Sequence, residues 1–290
     1  MHLDCCVTES DRRWDFALDQ PGSAGPATLR YSAAFAAIII AATVATVAFR
    51  HLQLAVFPQF ATFHAGFILV VDGIAAFLLF GQFVYRPLAF YALLGAAYLF
   101  NALVVIPFLL SFPGGLKAES VVIGGSQSAI WVWHAWHIVF PIMVGLSLLA
   151  HERTTSRPVP AARVVPYIGW MVATAVVLAS LVTLAVSVFH DHLPVLITPA
   201  RVPHTSTFYA VGGTAAALTA FSLVLSLRGV RRRSVLHIWI AVALLAFLGD
   251  VVASLAGTGR YTVAWYFGRI VSMAPAAMRV MVCVGRLNVV

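Results

Sequence analysis

Charged residues are scarce in this chain, and their scarcity excludes an ordinary water-soluble domain. Only 10% of the 290 residues are charged, whereas 61% are hydrophobic and the mean hydropathy is +0.95. A soluble domain usually carries about a quarter charged residues. The polar groups are too few to cover the surface, so we expect the solvent of this protein to be a lipid bilayer.

Cysteine and the common enzyme motifs are also lacking. The chain has three cysteines, Cys5, Cys6 and Cys283, and their positions form neither a disulfide framework nor a metal-ligand spacing. It contains no Gly-Lys-Ser/Thr phosphate loop, no His-Glu-x-x-His and no Gly-x-Ser-x-Gly. We therefore expect that the chain is not an enzyme.

The first 30 residues lack the apolar segment of a signal peptide. They hold five acidic residues, three arginines and a Pro- and Gly-rich stretch over Pro21–Pro26. This composition predicts a poorly ordered cytoplasmic tail over residues 1–30.

Long apolar runs dominate the rest of the chain. Runs of about 20 apolar residues are typical of membrane-spanning helices, and roughly eight are present. The predicted fold class is therefore all-α, a polytopic integral-membrane helix bundle over residues 31–290 with about eight transmembrane helices. The predicted helices are Tyr31–Phe49, Phe63–Val84, Leu88–Leu110, Ala129–Ala150, Tyr167–Phe189, Thr207–Leu227, Leu236–Ala256 and Val263–Gly285.

Basic residues predict the orientation of these helices. The N-terminal tail and the even-numbered connections carry eleven arginines, whereas the odd-numbered connections carry four basic residues. The positive-inside rule then places both termini in the cytoplasm. The net charge of +8 is spread between hydrophobic runs, so it indicates a lipid bilayer as the partner and no nucleic acid.

A few polar side chains fall inside the predicted helices. A charge at the centre of a bilayer costs about 2.5–3.5 kcal/mol, so such residues are usually paired, functional or both. Asp72 and Asn101 lie level on the second and third helices and are expected to hydrogen-bond. Asp250 and Arg269 lie level on the seventh and eighth and are expected to form an ion pair. With His137, all lie about 9–13 Å from the outer helix ends, and each pair is either structural or part of a site.

The run Ser128–Pro141 packs three tryptophans and two histidines into one helix. His134 and His137 share a helix face, and with His64 they are candidates for a metal or haem site. The alternative is that His137 is a bonded core residue and that no cofactor binds. Several aromatic residues are predicted to anchor the bundle at the membrane interface: Trp131, Trp136, Tyr261 and Trp265.

Short motifs in a fixed order carry a resemblance to a known family. They are Phe80-Gly81-Gln82-Phe83, Tyr98-Leu99-Phe100 with Ile106-Pro107, Trp136-His137 with Phe140-Pro141, Gly249-Asp250-Val251-Val252, and Trp265-Tyr266-Phe267-Gly268-Arg269. Together they resemble the bacterial membrane-associated sensor (MASE) domains, specifically the fourth class of that family. The family often places a histidine after the helix 3 proline. Phe108 stands there in this chain, which weakens a metal site that needs it.

The resemblance implies a multi-pass sensory input domain of the bacterial inner membrane. In the family such domains pass a signal to a diguanylate cyclase (GGDEF) or histidine kinase output, and no output domain follows in this chain. A cytoplasmic kinase or cyclase partner and a homodimer are further expectations. A membrane transport or haem/redox protein is the alternative function. The expected sensing pocket contains Asp72, Asn101, His137, Asp250, Arg269, Tyr98 and Trp265.

Overall fold

The computed structural model describes residues 24–117, 120–154, 158–198 and 205–273. Seven long α-helices and one short 3₁₀-helix, His190–His192, carry the described chain, and all seven are long and apolar enough to cross a membrane. A further helical segment covers residues 263–273. The long helices are α1 (Pro26–Ala48), α2 (Gln59–Tyr85), α3 (Ala89–Ser111), α4 (Ser128–Thr154), α5 (Ala161–Val188), α6 (Ser206–Arg231) and α7 (Val235–Ala256).

Several helices extend beyond the apolar runs that predict them. α1 begins at Pro26, inside the predicted tail, because proline at the first helical position already has a helical φ angle. α5 begins at Ala161, and Pro166 lies within it. Hydrophobic runs mark the part of a helix that lies in lipid, whereas a helix continues into the interface. Residues 1–23, with Cys5 and Cys6, and residues 274–290, with Cys283, lie outside the described residues.

α3, α4 and α7 form the centre of the bundle. Most of their membrane-length windows are buried, whereas α1, α2 and α5 bury only about a fifth of theirs. Neighbours in sequence pack together, as in α2 with α3, α3 with α4 and α6 with α7. Non-sequential pairs, α3 with α5 and α4 with α6, close the bundle, while α1 packs chiefly against α7. The central helices therefore provide protected positions for polar side chains.

The connections after α1, α3, α5 and α7 meet at one end of the bundle, which we call the upper end. There the α1–α2 connection pairs with the residues after α7 through an isolated antiparallel bridge between Gln53 and Thr262. The Leu54 amide donates to the Tyr261 carbonyl at 2.9 Å, and the Val263 amide donates to the Leu52 carbonyl at 2.9 Å. The α1–α2 connection thus holds the start of the 263–273 segment in place.

Alanine substitutions at two glycines of α6 are expected to change the stability of the fold in opposite directions. A Cβ on Gly229 would overlap the imidazole ring of His237, which is stacked on Phe90 and cannot move aside. We expect Gly229→Ala to destabilise the fold by about 1–3 kcal/mol through overpacking. A Cβ on Gly213 meets no atom within 4 Å, so Gly213→Ala should stabilise the helix by up to about 1 kcal/mol.

Unfolding of the detergent-solubilised protein, followed by circular dichroism, measures both changes. Equal effects of the two substitutions would show that the α6–α7 contact at Gly229 is not as close as described.

Candidate functional site

Asp72, Asn101 and Trp136 form a buried hydrogen-bonded chain across α2, α3 and α4. Each is at most 5% exposed. The Asn101 amide donates to the Asp72 carboxylate, and the Trp136 indole N–H donates to the Asn101 side-chain oxygen. The predicted contact between Asp72 and Asn101 is thus present, and Trp136 extends it to a third helix.

His137 and Asp250 join α4 to α7. The His137 Nε2 atom lies 3.1 Å from an Asp250 carboxylate oxygen, and its Nδ1 atom lies 2.7 Å from the Trp133 carbonyl oxygen. The Trp133 carbonyl only accepts, so Nδ1 donates to it, and Nε2 faces the Asp250 carboxylate. His137 is thus held between a backbone carbonyl of its own helix and a carboxylate of α7.

Arg269 completes this cluster from the 263–273 segment. One guanidinium nitrogen of Arg269 lies 3.7 Å from Asp250, which is the predicted ion pair, and 3.3 Å from the Ser254 hydroxyl. Ser254 in turn donates to Asp250 at 3.1 Å. The Arg269 guanidinium also lies 4.9 Å from the centre of the Trp265 ring. We call His137, Asp250, Ser254 and Arg269 the charged cluster.

The two groups of polar residues adjoin. Trp136 and His137 are consecutive on α4, and their rings lie 5.2 Å apart. His64 on α2 lies 6.0 Å from the Trp136 ring and shares a hydrogen bond of 3.1 Å with Ser272. The Ser272 hydroxyl donates to the Arg269 carbonyl at 2.9 Å. The two adjoining groups, together called the polar network, span α2, α3, α4, α7 and the 263–273 segment.

Tyr98 lies in the aromatic packing around His137. It is buried on α3, and its ring meets Phe140 edge-on at 5.5 Å. Phe140 packs on Phe247, which stacks against the His137 ring at 4.3 Å. Two phenylalanine rings therefore link Tyr98 to His137.

The predicted interface anchors need correction. Trp136 is 2% exposed and Trp265 is 7% exposed, so both face the interior of the bundle. Trp131 and Tyr261 are partly exposed, and the Trp131 indole N–H donates to the Pro194 carbonyl at 2.9 Å. Apolar surroundings in sequence did not distinguish lipid from protein interior. His134 is fully buried against Phe208.

The structure places the three candidate metal or haem histidines on two helices, α2 and α4. His134 Nδ1 contacts the Ile130 carbonyl at 2.9 Å, and both ring nitrogens of His137 have partners. The Trp136 ring packs against both His64 and His137, with ring centres 6.0 and 5.2 Å away. Within the described ranges, no group of three or more His, Cys, Asp or Glu side chains could hold a metal ion. The structure therefore does not bring His64, His134 and His137 together as one three-ligand site.

A cavity of about 700 Å³ opens beside the charged cluster at the upper end. Arg269, Ser254 and Trp265 line one side, and Arg260, Phe112 and Trp133 line others. Arg269 and Trp265 are predicted site residues, whereas the rest of this wall was not predicted. The wall comes largely from the third, fifth and seventh connections, which are far apart in sequence. The sequence signal they share is their odd number, which places them at the same end of the bundle.

The fold and the network define a class, that of multi-pass helical membrane proteins with a buried polar centre. The family model of MASE4, described as a membrane-associated sensor, integral membrane domain, matches residues 55–284. The chain therefore belongs to the MASE4 family of integral-membrane sensor domains. No match was found among curated proteins or among solved structures.

Proposed function

We propose that this protein is the sensory input domain of a bacterial signalling system in the inner membrane. In this proposal both termini lie in the cytoplasm, and the signal passes to a diguanylate cyclase or histidine kinase output. The observation that carries the proposal is the polar network, which connects four helices of a sensor-family bundle to the 263–273 segment. That segment leads toward the C-terminus, so the network lies on the path to an output.

The network is suited to two alternative packings. Asp250 has three contacts: His137 on α4, Ser254 one turn further along α7, and Arg269 on the 263–273 segment. Exchange of one partner for another would alter how α4, α7 and the 263–273 segment pack. A stimulus that stabilises one arrangement more than the other shifts the population of the two. We propose that the contacts of Asp250 with His137 and with Arg269 are the elements that change.

A fusion tests this function. A diguanylate cyclase domain joined after Val290 should give a cyclic di-GMP level in cells that depends on the network. Ser254→Ala removes hydrogen bonds to Asp250 and Arg269 with little change in volume. It should shift the cyclic di-GMP level about fivefold, which corresponds to a coupling free energy of about 1 kcal/mol. Phe77→Leu is the matched control, because Phe77 is 76% exposed on α2 and should leave the level unchanged.

Membrane amounts of each fusion, measured by immunoblot, separate signalling from expression. If Ser254→Ala and a second network variant, Trp136→Phe, both match the parent at equal amounts, the sensory function is contradicted.

A further inference from the structure

The cavity at the upper end is built from three connections. Gln127 fixes one junction, since its side chain donates to the Ile197 carbonyl at 2.8 Å and accepts from the Leu196 amide at 2.9 Å. These contacts hold the α5–α6 connection against the start of α4. The turn after α7, with Gly257 and Arg260, closes the third side. The volume of about 700 Å³ lies within the roughly 300–1,000 Å³ of small-molecule sites.

The charged residues among those described in the cavity wall are all positive. Arg260 and Arg269 both line it, and none of its described lining residues is acidic. Arg269 has Asp250 as its partner, but Arg260 has no carboxylate partner among the described residues. The Arg260 guanidinium lies 5.0 Å from the centre of the Phe112 ring. Arg260 is half-buried, and burial lowers the pKa of its guanidinium, because partial desolvation disfavours the charged form. An anion in the cavity would relieve this cost.

Five aromatic side chains line the cavity beside small, polar and aliphatic residues, namely Phe108, Phe112, Trp133, Phe208 and Trp265. Aromatic walls favour a flat ring by stacked and edge-on contacts.

We propose that the cavity binds an aromatic carboxylate, with Arg260 contacting the anion and the aromatic side chains enclosing the ring. This inference rests on the proposed sensory function and names the class of its ligand. Arg269 and Ser254 belong both to the cavity wall and to the charged cluster. A bound carboxylate competes with Asp250 for Arg269, and this competition couples the cavity to the polar network.

Binding of indole-3-acetate to the purified full chain in detergent, measured by calorimetry, tests the proposal. Indole-3-acetamide is the matched uncharged probe and should bind at least about tenfold more weakly, because hydrogen bonds to charged groups contribute most. Arg260→Gln should weaken indole-3-acetate binding by at least about tenfold. Trp133→Leu, which removes one aromatic ring from the wall, should weaken it by about threefold to tenfold, the loss of one ring–ring contact.

Arg50→Gln controls for loss of one positive charge at the same end of the bundle. Arg50 donates to the Val47 carbonyl at 2.8 Å and does not line the cavity, so its replacement should leave binding unchanged. Thermal unfolding of every variant shows whether it is folded, and Trp133→Leu provides a second measurement if Arg260→Gln does not fold.

Several results would overturn the proposal: no binding of indole-3-acetate, equal binding of the amide, tighter binding of decanoate, or unchanged binding by both cavity variants. A phospholipid retained through purification, seen by native mass spectrometry and lost with Arg260→Gln, would overturn it in favour of a lipid site. The cyclase fusion is independent of these results. Binding without any effect of the network on cyclic di-GMP would refute the sensory function and leave the ligand site standing.

Discussion

Replacing Asp250 by asparagine is expected to lower the free energy of unfolding by about 3–5 kcal/mol, the cost of breaking a buried ion pair from one side. Arg269 is only 5% exposed, so it would keep a buried charge without its carboxylate. His137 would lose the carboxylate that its Nε2 atom contacts. Denaturation in mixed detergent micelles, followed by circular dichroism, measures the loss.

An exposed ion pair provides the control. Arg228 and Glu152 lie 2.7 Å apart with side chains 57% and 34% exposed, and Glu152→Gln should cost less than about 1 kcal/mol. Asp250→Asn combined with Arg269→Gln should cost less than the sum of the two single changes, because the pair is coupled. A loss for Asp250→Asn as small as that for Glu152→Gln would show that the charged cluster contributes little to stability.

Replacing Asn101 by leucine is expected to cost about 2–4 kcal/mol, because it removes two buried hydrogen bonds at once. The Asp72 carboxylate loses the Asn101 amide, and the Trp136 N–H loses its acceptor. The same unfolding measurement in detergent applies. Because leucine and asparagine are similar in size, the loss reports the hydrogen bonds more than a cavity.

Gln82→Leu is the matched change for this prediction. Gln82 lies half-buried on α2, and its side chain makes no hydrogen bond within the described residues. Its replacement should therefore change the free energy of unfolding by less than about 0.5 kcal/mol. The double variant Asn101→Leu with Trp136→Phe should cost less than the sum of the two single changes, because both remove the same hydrogen bond. Equal losses for Asn101→Leu and Gln82→Leu would contradict the buried chain.

The hairpin pairs could be predicted from sequence, because short connections fix the register of antiparallel helices. Asp72 with Asn101 and Asp250 with Arg269 each lie on helices that follow one another in the chain, and equal depth was enough to pair them. The partner of His137 could not be found in this way. His137 and Asp250 are 113 positions apart, and only the packing of α4 against α7 brings them together.

The side of the helix that each aromatic residue faces was also beyond sequence reasoning. A helix that is apolar all round gives no amphipathic stripe to distinguish lipid from neighbouring helices. Trp136 and Trp265 were therefore predicted at the interface, although each contacts a polar side chain of the network. The cavity with Arg260 was missed for a related reason, since its walls come from connections whose mutual positions no periodicity encodes.

The position of α1 has a consequence for the order of assembly. α1 lies before residue 55, where the family match begins, and it packs chiefly against α7, with five helices between them in the chain. Synthesis proceeds from the N-terminus, so α1 enters the bilayer while its partner is still unmade. It must remain a solitary lipid-embedded helix until α7 emerges, and its junction with α7 is among the last helix contacts that the nascent protein can form.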